Sequence, residues 1–370
     1  MAEVGEILAT PDYLAAASGM DLTVVGPEAP LVAGVVDEFR GRGLAIVGPD
    51  RANAQLEASK IHSKDFMRRL GIPTARFERV QTAEAGIDAL ANFDYPVVIK
   101  ADGLAAGKGV IIAQDRHEAE SAVHALGPRL VIEEFLQGEE VSFIVLADGR
   151  SFVPFEPTQD HKAVGDNDTG PNTGGMGAYC DGRILTSDQA GRAIDTIIEP
   201  VIRATGFTGF LYAGLMMTGD GPKVLEFNVR LGDPETQPLM HRMDPASSFA
   251  DLLLRSATGS LAGANLRWRR DPSVCVVMAA AGYPGKVRTG DVITGIETCG
   301  AQVFQAGTKR SSRGLETAAG RVLGITASGP DLPAAIANTY AAVEKIHFDG
   351  MHYRHDIGKK GLKRWATGTI

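Results

Sequence analysis

Three polar side chains alternate along one predicted strand in the second half of the chain. Glu226, Asn228 and Arg230 share one face of this strand, whereas Leu225 and the other intervening apolar residues face the core. A carboxylate and an amide oxygen on one face suit Mg²⁺ that bridges phosphates, and Arg230 adds a planar fork for a carboxylate or a phosphate. A half-buried strand with a polar outer face would show the same alternation. The Gly-Asp-Pro-Glu turn at 232–235 favours a site at the strand end.

A lysine ends a second predicted strand. Val97–Lys100 is apolar up to its last residue, and a glycine-rich loop follows before another strand at Val110–Ala113. Glycines let backbone N–H groups approach phosphate oxygens, and lysines supply point charges. The loop is not a Walker A motif, which has Ser or Thr after its lysine and then a helix. A hairpin turn with exposed lysines is the alternative. The loop residues assigned to a phosphate site are Gly103, Gly107, Lys108 and Gly109.

An acidic segment follows the predicted strand Leu130–Glu133. Glu134 and Leu136 come next, and Glu140 stands after the bend at Gly138. Such a strand edge can offer backbone groups to an adenine and a carboxylate to ribose hydroxyls. A strand end with solvated acids would explain the same residues.

A long polar loop is predicted from Asp160 to Tyr179. It contains Lys162, Thr173 and several glycines, and no regular structure is expected in it. Loops of this length are usually functional or disordered. Its hydroxyls and amides suit a small zwitterion or a sugar phosphate, and a flexible surface loop is the alternative.

Three other groups of residues give weaker evidence of a functional site. His352 and His355 have no further ligand near them in sequence and are interpreted as surface histidines. The basic run Lys359–Arg364 is interpreted as a solvated end. The three cysteines stand far apart and fit no zinc or redox spacing.

Composition limits the class of protein. The 370 residues are 44% hydrophobic and carry a net charge of −8, which is typical of a globular enzyme and unlike a nucleic-acid binder. No apolar run approaches a membrane span, and the start of the chain lacks the features of a signal peptide. We therefore expect a cytoplasmic enzyme with no nucleic-acid or membrane partner, and a monomer.

Predicted elements divide the chain into three parts. Residues 1–56 read as part of an open α/β domain with a helix over Leu31–Arg40. Residues 57–266 form two α+β lobes, of which the smaller covers about 70–137. Residues 267–370 form a mixed α/β domain in which Asp291–Ile296 is predicted to be a strand.

These segments together resemble the ATP-grasp fold, in which two α+β lobes clamp ATP, and more closely the glycinamide ribonucleotide synthetase family. The similarity runs in order over nearly the whole chain, and 168–177 is its most specific stretch. The segments that carry it are 26–31, 100–110, 131–136, 159–162, 169–179, 209–216, 226–237, 279–284 and 288–291.

The resemblance implies an ATP-dependent carbon–nitrogen ligase that joins glycine to 5-phosphoribosylamine through glycyl phosphate, with Mg²⁺ or Mn²⁺. It implies a catalytic role for Arg230, Lys100 and Asp160. ATP would be held by Lys64 and Lys100 at the phosphates under the loop 103–109, by Glu133, Glu134 and Leu136 at the adenine, and by Glu140 at the ribose. Glu226 and Asn228 would hold the metal. The glycine and phosphoribosyl side would be formed by Glu28, Asp160, Lys162, Thr173, Arg230, Gly232 and Asp233.

The sequence departs from the family pattern at two places. Family members have a strand and a glycine-rich turn upstream of the position of Met1, so the resemblance implies an incomplete first domain. The chain is also shorter than the family around Leu126–Arg129. Two alternatives therefore stay open: a related ATP-grasp ligase with another substrate, and a non-catalytic ATP-binding remnant.

Overall fold

The N-terminal part is a small parallel sheet flanked by helices. The computed structural model describes residues 10–104 and 109–366, and in this part Thr23 pairs with Ile46 and Val24 with Val47. The helix expected over Leu31–Arg40 is two helices, because Gly34 adopts the left-handed conformation, with φ of 92°, and ends the first. The elements are α1 (Tyr13–Ala17), β1 (Thr23–Val24), α2 (Glu28–Ala33), α3 (Val35–Gly41), β2 (Ile46–Val47) and α4 (Gln55–Ala58).

A four-stranded antiparallel sheet forms the next part, which we call the small lobe. Its strand order is β3-β6-β4-β5. Val97 and Ile99 alternate into a core shared with Leu130 and Ile132, all fully buried. The elements are α5 (Lys60–Leu70), β3 (Phe77–Val80), α6 (Ala83–Ala89), β4 (Val97–Ala101), β5 (Val110–Ala113), α7 (Arg116–Leu126) and β6 (Leu130–Glu134).

A larger sheet runs through the rest of the described chain. It has nine strands in the order β14-β13-β7-β9-β12-β15-β19-β16, with β8 paired to β7. The sheet continues across residue 267, where the third part of the chain was expected to begin, because β12 (Gly177–Cys180) pairs with β15 (Ser273–Ala279). The elements up to residue 257 are β7 (Glu139–Asp148), β8 (Phe152–Pro154), β9 (Thr158–Asp160), β10 (Ala163–Gly165), β11 (Thr169–Asn172), β12 (Gly177–Cys180), α8 (Ser187–Ala193), a π-helical turn (Ile194–Ile198), α9 (Glu199–Thr205), β13 (Thr208–Thr218), β14 (Gly221–Asn228), α10 (Thr236–Arg242) and α11 (Phe249–Ala257).

The expectation that Asp160–Tyr179 lacks regular structure is wrong. Strands β9 and β12 lie side by side in the large sheet, and the segment between them folds into the hairpin β10–β11. This pairing gives the backbone of a glycine-rich and partly buried segment its hydrogen-bond partners.

The last part extends the large sheet and covers it with a helix. The strand expected at Asp291–Ile296 is absent, and only isolated bridges form at Val292 and Thr294. No helix within 10–104 or 109–366 has the length and apolar character needed to cross a membrane. The elements are β15 (Ser273–Ala279), β16 (Gln302–Gln305), β17 (Thr308–Ser311), β18 (Gly314–Thr317), β19 (Arg321–Ser328), α12 (Leu332–Val343) and α13 (Leu362–Ala366).

Two glycines bring the N-terminal part against the large sheet. Gly209, with φ of 84°, lies so close to Gly48 that a Cβ on Gly209 would stand 2.6 Å from the Cα of Gly48. Thr208 Oγ1 donates to the carbonyl of Gly48 at 2.8 Å, and Arg40 also donates to this carbonyl at 3.1 Å. The position of the N-terminal part therefore depends on the absence of a side chain at 209.

We predict that Gly209→Ala lowers the free energy of unfolding by about 1–3 kcal/mol, because the new methyl group overlaps backbone and the residue must keep a positive φ. Urea denaturation measures the loss. The matched control is Gly219→Ala, where a Cβ meets nothing within 4 Å and the effect stays within about 0.5 kcal/mol. Equal losses in both variants would contradict the close contact.

Candidate active site

A cleft of about 620 Å³ lies between the small lobe, the large sheet and the N-terminal part. Its walls bring together residues from distant parts of the sequence. Gly107 and Lys108 lie outside the described residues. Every other site residue expected from the sequence lines the cleft: Glu28, Lys64, Lys100, Gly103, Gly109, Glu133, Glu134, Leu136, Glu140, Asp160, Lys162, Thr173, Glu226, Asn228, Arg230, Gly232 and Asp233.

A buried carboxylate holds two lysines on the small-lobe wall. Glu133 accepts an ion pair from Lys64 at 2.9 Å and from Lys100 at 3.0 Å, and the three side chains are 2%, 3% and 9% exposed respectively. Lys100 also donates to the carbonyl of Leu225 at 3.0 Å, which links β4 to β14. The pairing of β4 with β6 sets Lys100 and Glu133 on adjacent strands. Both oxygens of Glu133 are therefore engaged by lysines.

Lys64 is more enclosed than a freely accessible phosphate ligand. Its ammonium donates to Thr74 Oγ1 at 2.6 Å in addition to its pair with Glu133. Burial lowers the pKa of Lys64 to about 8, and the charge of Glu133 opposes this shift. Any effect of Lys64 on the cleft is therefore transmitted mainly by its ion pair with Glu133.

Lys60, which the sequence reasoning missed, lines the same wall one helical turn before Lys64. Its Nζ donates to the carbonyl of Gly103 at 2.8 Å, at the start of the glycine loop. Burial lowers the pKa of Lys60, and the charge of Glu226 opposes this shift. The spacing of four residues on one helix face was the signal that could have identified it.

The start of the glycine loop is anchored to α5. Asp102 accepts hydrogen bonds from Ser59 Oγ at 2.8 Å and from the amide of Ile61 at 3.2 Å. Arg129 pairs with the same carboxylate at 2.8 Å. A carboxylate at a helix N-terminus is stabilised by the free amides there. Asp102 therefore holds the first residues of the glycine loop in place.

The opposite wall is the polar face of β14. Glu226 and Asn228 both line the cleft, and Phe227 is buried behind them. The expectation that Leu225 faces the core is wrong, because a bulge between Val224 and Glu226 leaves Leu225 half-buried at the cleft. Burial alone would raise the pKa of Glu226, but nearby cations, Lys162 first, lower it. Glu226 is therefore held as a carboxylate.

Arg230 is already bound by carboxylates. Its Nη2 pairs with Glu57 at 2.8 Å and its Nε lies 3.7 Å from Glu28. Glu57, which the sequence reasoning missed, also accepts from the amide of Val229 at 2.7 Å. Burial raises the pKa of Glu57, and Arg230 opposes this shift. Glu57 therefore fixes the chain and the guanidinium at the end of β14.

An acidic cluster surrounds Lys162 deeper in the cleft. Lys162 pairs with Glu140 at 3.2 Å and lies 3.7 Å from Glu226, and the charge of Glu140 raises its pKa well above the usual range. Burial raises the pKa of Asp160 to about 7; Lys162 opposes this shift and neighbouring carboxylates add to it. Burial and the nearby carboxylates therefore make Asp160 a better proton acceptor than an ordinary aspartate, which suits proton transfer.

Glu235 and Arg321 complete this region. Glu235 belongs to the turn singled out in the sequence but was not assigned to the site, and Arg321 was not found from the sequence. Glu235 is 4% exposed and accepts a hydrogen bond from the Tyr212 hydroxyl at 2.8 Å. Arg321 pairs with Asp233 at 2.9 Å and donates to the carbonyl of Gly174 at 2.6 Å. Arg321 thus ties the turn after β14 to the segment before β12, a contact across distant sequence positions that no local pattern reports.

Two facing sheets, with lysines on one wall and a carboxylate and an amide on the other, are the arrangement of an ATP-grasp protein. Models of the phosphoribosylglycinamide synthetase family match over most of the chain: the N domain at 7–57, the ATP-grasp (A) domain at 58–236 and the C domain at 273–360. The chain belongs to the phosphoribosylglycinamide synthetase family.

Individual relatives agree with this assignment. The chain is 49% identical to phosphoribosylamine–glycine ligase of Escherichia coli (strain K12) over 364 residues, which cover 93% of this chain and 84% of the relative. The crystal structure of phosphoribosylamine–glycine ligase from Thermotoga maritima superposes with a TM-score of 0.77 and 36% identity, covering 84% of this chain and 81% of that one. Biotin carboxylase from Campylobacter jejuni shares the fold alone, with a TM-score of 0.70, 15% identity, and coverage of 95% and 81%.

We predict that Glu133→Gln lowers the free energy of unfolding by about 3–5 kcal/mol, because it leaves a buried lysine without its countercharge. The loss shrinks as pH is raised towards about 8, the pKa of folded Lys64, because above this pH Lys64 is neutral in both folded proteins and needs no countercharge. Urea denaturation at several pH values measures both effects.

The control for this prediction is Glu120→Gln, which breaks the exposed pair with Arg116 at 2.7 Å and costs less than about 1 kcal/mol. A loss at Glu133 as small as that at Glu120 would show that the buried pair does not hold the small-lobe wall.

Proposed function

We propose that the chain joins glycine to 5-phosphoribosylamine with ATP, giving glycinamide ribonucleotide, ADP and phosphate. The relatives named phosphoribosylamine–glycine ligase support this reaction. The observation that carries it is the arrangement across the cleft, where Lys60 and Lys100 face Glu226 and Asn228. Phosphoryl transfer depends mainly on positioning and on neutralising charge, and these two walls supply both.

Lys60 and Lys100 would contact the ATP phosphates beneath the glycine loop. Both ammonium groups line the cleft and are held by a carbonyl or a carboxylate of the same wall. Lys64 would act behind them by sharing Glu133 with Lys100. This assignment adds Lys60 to the phosphate site expected from the sequence.

The edge after β6 would hold the nucleoside. Leu136 packs with Ala75 and Met216 in a small apolar cluster, which suits the faces of an adenine. Glu134 accepts a hydrogen bond from the backbone amide of Arg76 at 2.8 Å, so its carboxylate holds this edge in place. Glu140 would accept from the ribose hydroxyls, and it already pairs with Lys162.

A divalent ion, Mg²⁺ or Mn²⁺, fits the oxygen ligands of β14. Glu226 is kept ionised by nearby cations, and Asn228 offers an amide oxygen from the same strand. No cluster of three or more His, Cys, Asp or Glu suited to a metal occurs among the residues that the structure describes. ATP phosphates would complete the coordination, and the ion would supply charge neutralisation at these phosphates.

The acid and the amine would meet at the inner end of the cleft. A glycine carboxylate oxygen attacks the γ-phosphorus and ADP leaves; the amine then attacks the acyl carbon and phosphate leaves. Asp160, with a pKa of about 7, would take the proton that the amine loses. Arg230 would stabilise the charge on the transferred group. The residues around the two substrates would be Glu28, Lys162, Thr173, Gly232 and Asp233.

Two further expectations stay predictions: the cytoplasmic location and the monomeric state. The proposed reaction depends on neither.

We predict that ADP release by the purified chain requires both glycine and 5-phosphoribosylamine, and that Glu226→Ala lowers kcat by about 10²–10³-fold or more through loss of the metal ligand. A coupled assay for ADP measures both. The control Glu297→Ala changes an exposed carboxylate outside the cleft and keeps wild-type turnover.

Two outcomes would overturn this function. ADP release that ignores glycine or the amine would point to another substrate, and nucleotide binding without turnover would point to a non-catalytic remnant. Full metal-dependent activity in Glu226→Ala would remove the assigned ligand.

A further inference from the structure

The hairpin β10–β11 carries cleft residues at its base and a left-handed turn at its tip. Lys162 and Thr173 lie at the base, line the cleft and are joined by hydrogen bonds from the amide and hydroxyl of Thr173 to the carbonyl of Lys162, at 2.7 and 2.8 Å. At the tip, Asn167 and Asp168 both have φ of 57°. Asn and Asp adopt the left-handed conformation more readily than other non-glycine residues, which suits a hairpin turn, and contacts from outside the hairpin add to it.

A buried arginine from the end of the chain holds this tip. Arg354 is fully buried, and its Nη1 donates to Asp168 at 3.0 Å and to the carbonyl of Ala163 at 3.1 Å. Its Nε and Nη2 bind Asp356 in a two-point pair at 2.8 and 2.7 Å. One planar guanidinium thus joins the first strand of the hairpin, the turn and a second carboxylate.

Neighbours of Arg354 add further bonds to the tip, and we call residues 352–360 the C-terminal clamp. Asp356 accepts from the amide of Asn167 at 2.8 Å, and Lys360 pairs with Asp168 at 2.7 Å. The backbone amide of His355 donates to Asp166 at 2.7 Å. All three residues of the turn, 166–168, are therefore bonded to the clamp.

The hairpin's own pairing is sparse by comparison. Its two strands share only the register positions Ala163 with Asn172 and Gly165 with Thr169, with an irregularity between them. The large sheet holds the segment just before the base, since the amide of His161 donates to the carbonyl of Gly177 at 2.9 Å. Beyond that point the hairpin has few bonds of its own, and Arg354 adds one at the carbonyl of Ala163, the residue next to Lys162.

The charge of Arg354 also reaches behind the cleft. His161, between Asp160 and Lys162 in sequence, is fully buried, and its pKa is lowered to about 3 by burial and then by Lys360 and Arg354. The buried histidine therefore stays uncharged, and the clamp affects the acid site through the hairpin's position.

We propose that Arg354 is a positioning residue for the acid substrate: by fixing the turn 166–168, it holds Lys162 and Thr173 at the cleft. The proposal rests on the proposed function, since it assigns these two residues to the glycine side. It extends that function to a residue that does not line the cleft and that no local sequence pattern connects to it.

The test is the full-length Arg354→Lys variant, which keeps a positive charge but loses the planar fork. We expect the KM for glycine to rise about tenfold or more and kcat to fall, because small displacements of positioning groups are costly. The KM for ATP rises less than the KM for glycine, because Lys60 and Lys100, the proposed phosphate contacts, lie on the small-lobe wall and only Glu140 and Glu226 of the nucleotide site meet Lys162. The matched control is Arg288→Lys, whose guanidinium pairs with Asp291 and Asp349 instead.

A second variant covers the case in which Arg354→Lys does not fold. Asp168→Asn weakens the pairs with Arg354 and Lys360 at a carboxylate that is 46% exposed, and we expect the same selective rise in the KM for glycine, at a smaller size. An unchanged KM for glycine in a folded variant, or an equal rise in the KM for ATP, overturns the proposal.

Amide hydrogen exchange separates this proposal from the proposed function. The Thr173 amide, bonded to Lys162, should lose protection in Arg354→Lys and keep it in Arg288→Lys. If the wild-type chain shows no glycine-dependent turnover, the proposed function fails, and retained protection at Thr173 would independently overturn the clamp.

Discussion

The constraint that organises this molecule is the balance of charge in a partly buried cleft. Cations in a low-dielectric site would repel one another if left unpaired. Glu133 pairs with both Lys64 and Lys100, and Glu57 pairs with Arg230. Lys100 and Arg230 are thereby held in place by the protein itself, which is how a site reduces the cost of ordering itself on binding.

The fold serves this balance by placing the two charged walls on separate sheets. In the small-lobe sheet, Lys100 lies next to the last residue of β4, and the edge strand of the large sheet presents Glu226 and Asn228. A direct hydrogen bond from Lys100 to the carbonyl of Leu225 joins the walls at the cleft floor. Glu133 on one wall and the backbone of Leu225 on the other are therefore connected through Lys100.

Local patterns in the sequence were enough for the walls themselves. Glu226 and Asn228 were found because strand alternation is a short-range rule, and Lys100 because a buried strand ending in lysine is unusual. The same rule failed at Leu225, where a bulge that depends on the neighbouring strand shifts the alternation. Gly34 likewise divided a helix whose apolar spacing was continuous.

Partners that come from distant sequence positions could not be predicted. Glu57 meets Arg230 across 173 positions of chain, and Arg321 reaches Asp233 from the last third of the sequence. Lys359 and Lys360 in the basic run near the end of the chain are exposed, as expected, but the ion pair of Lys360 with Asp168 was not predicted, because its acidic partner lies far upstream. Ion pairs of this kind are properties of the folded chain and leave no periodic signal.

The most direct measurement is a crystal structure of the full chain with a non-hydrolysable ATP analogue and Mn²⁺, with the ion located by its anomalous scattering. The account predicts an ion coordinated by Glu226 and Asn228, with the phosphates contacting Lys60 and Lys100. An ion located away from β14, or a triphosphate outside the space between these two walls, would contradict it.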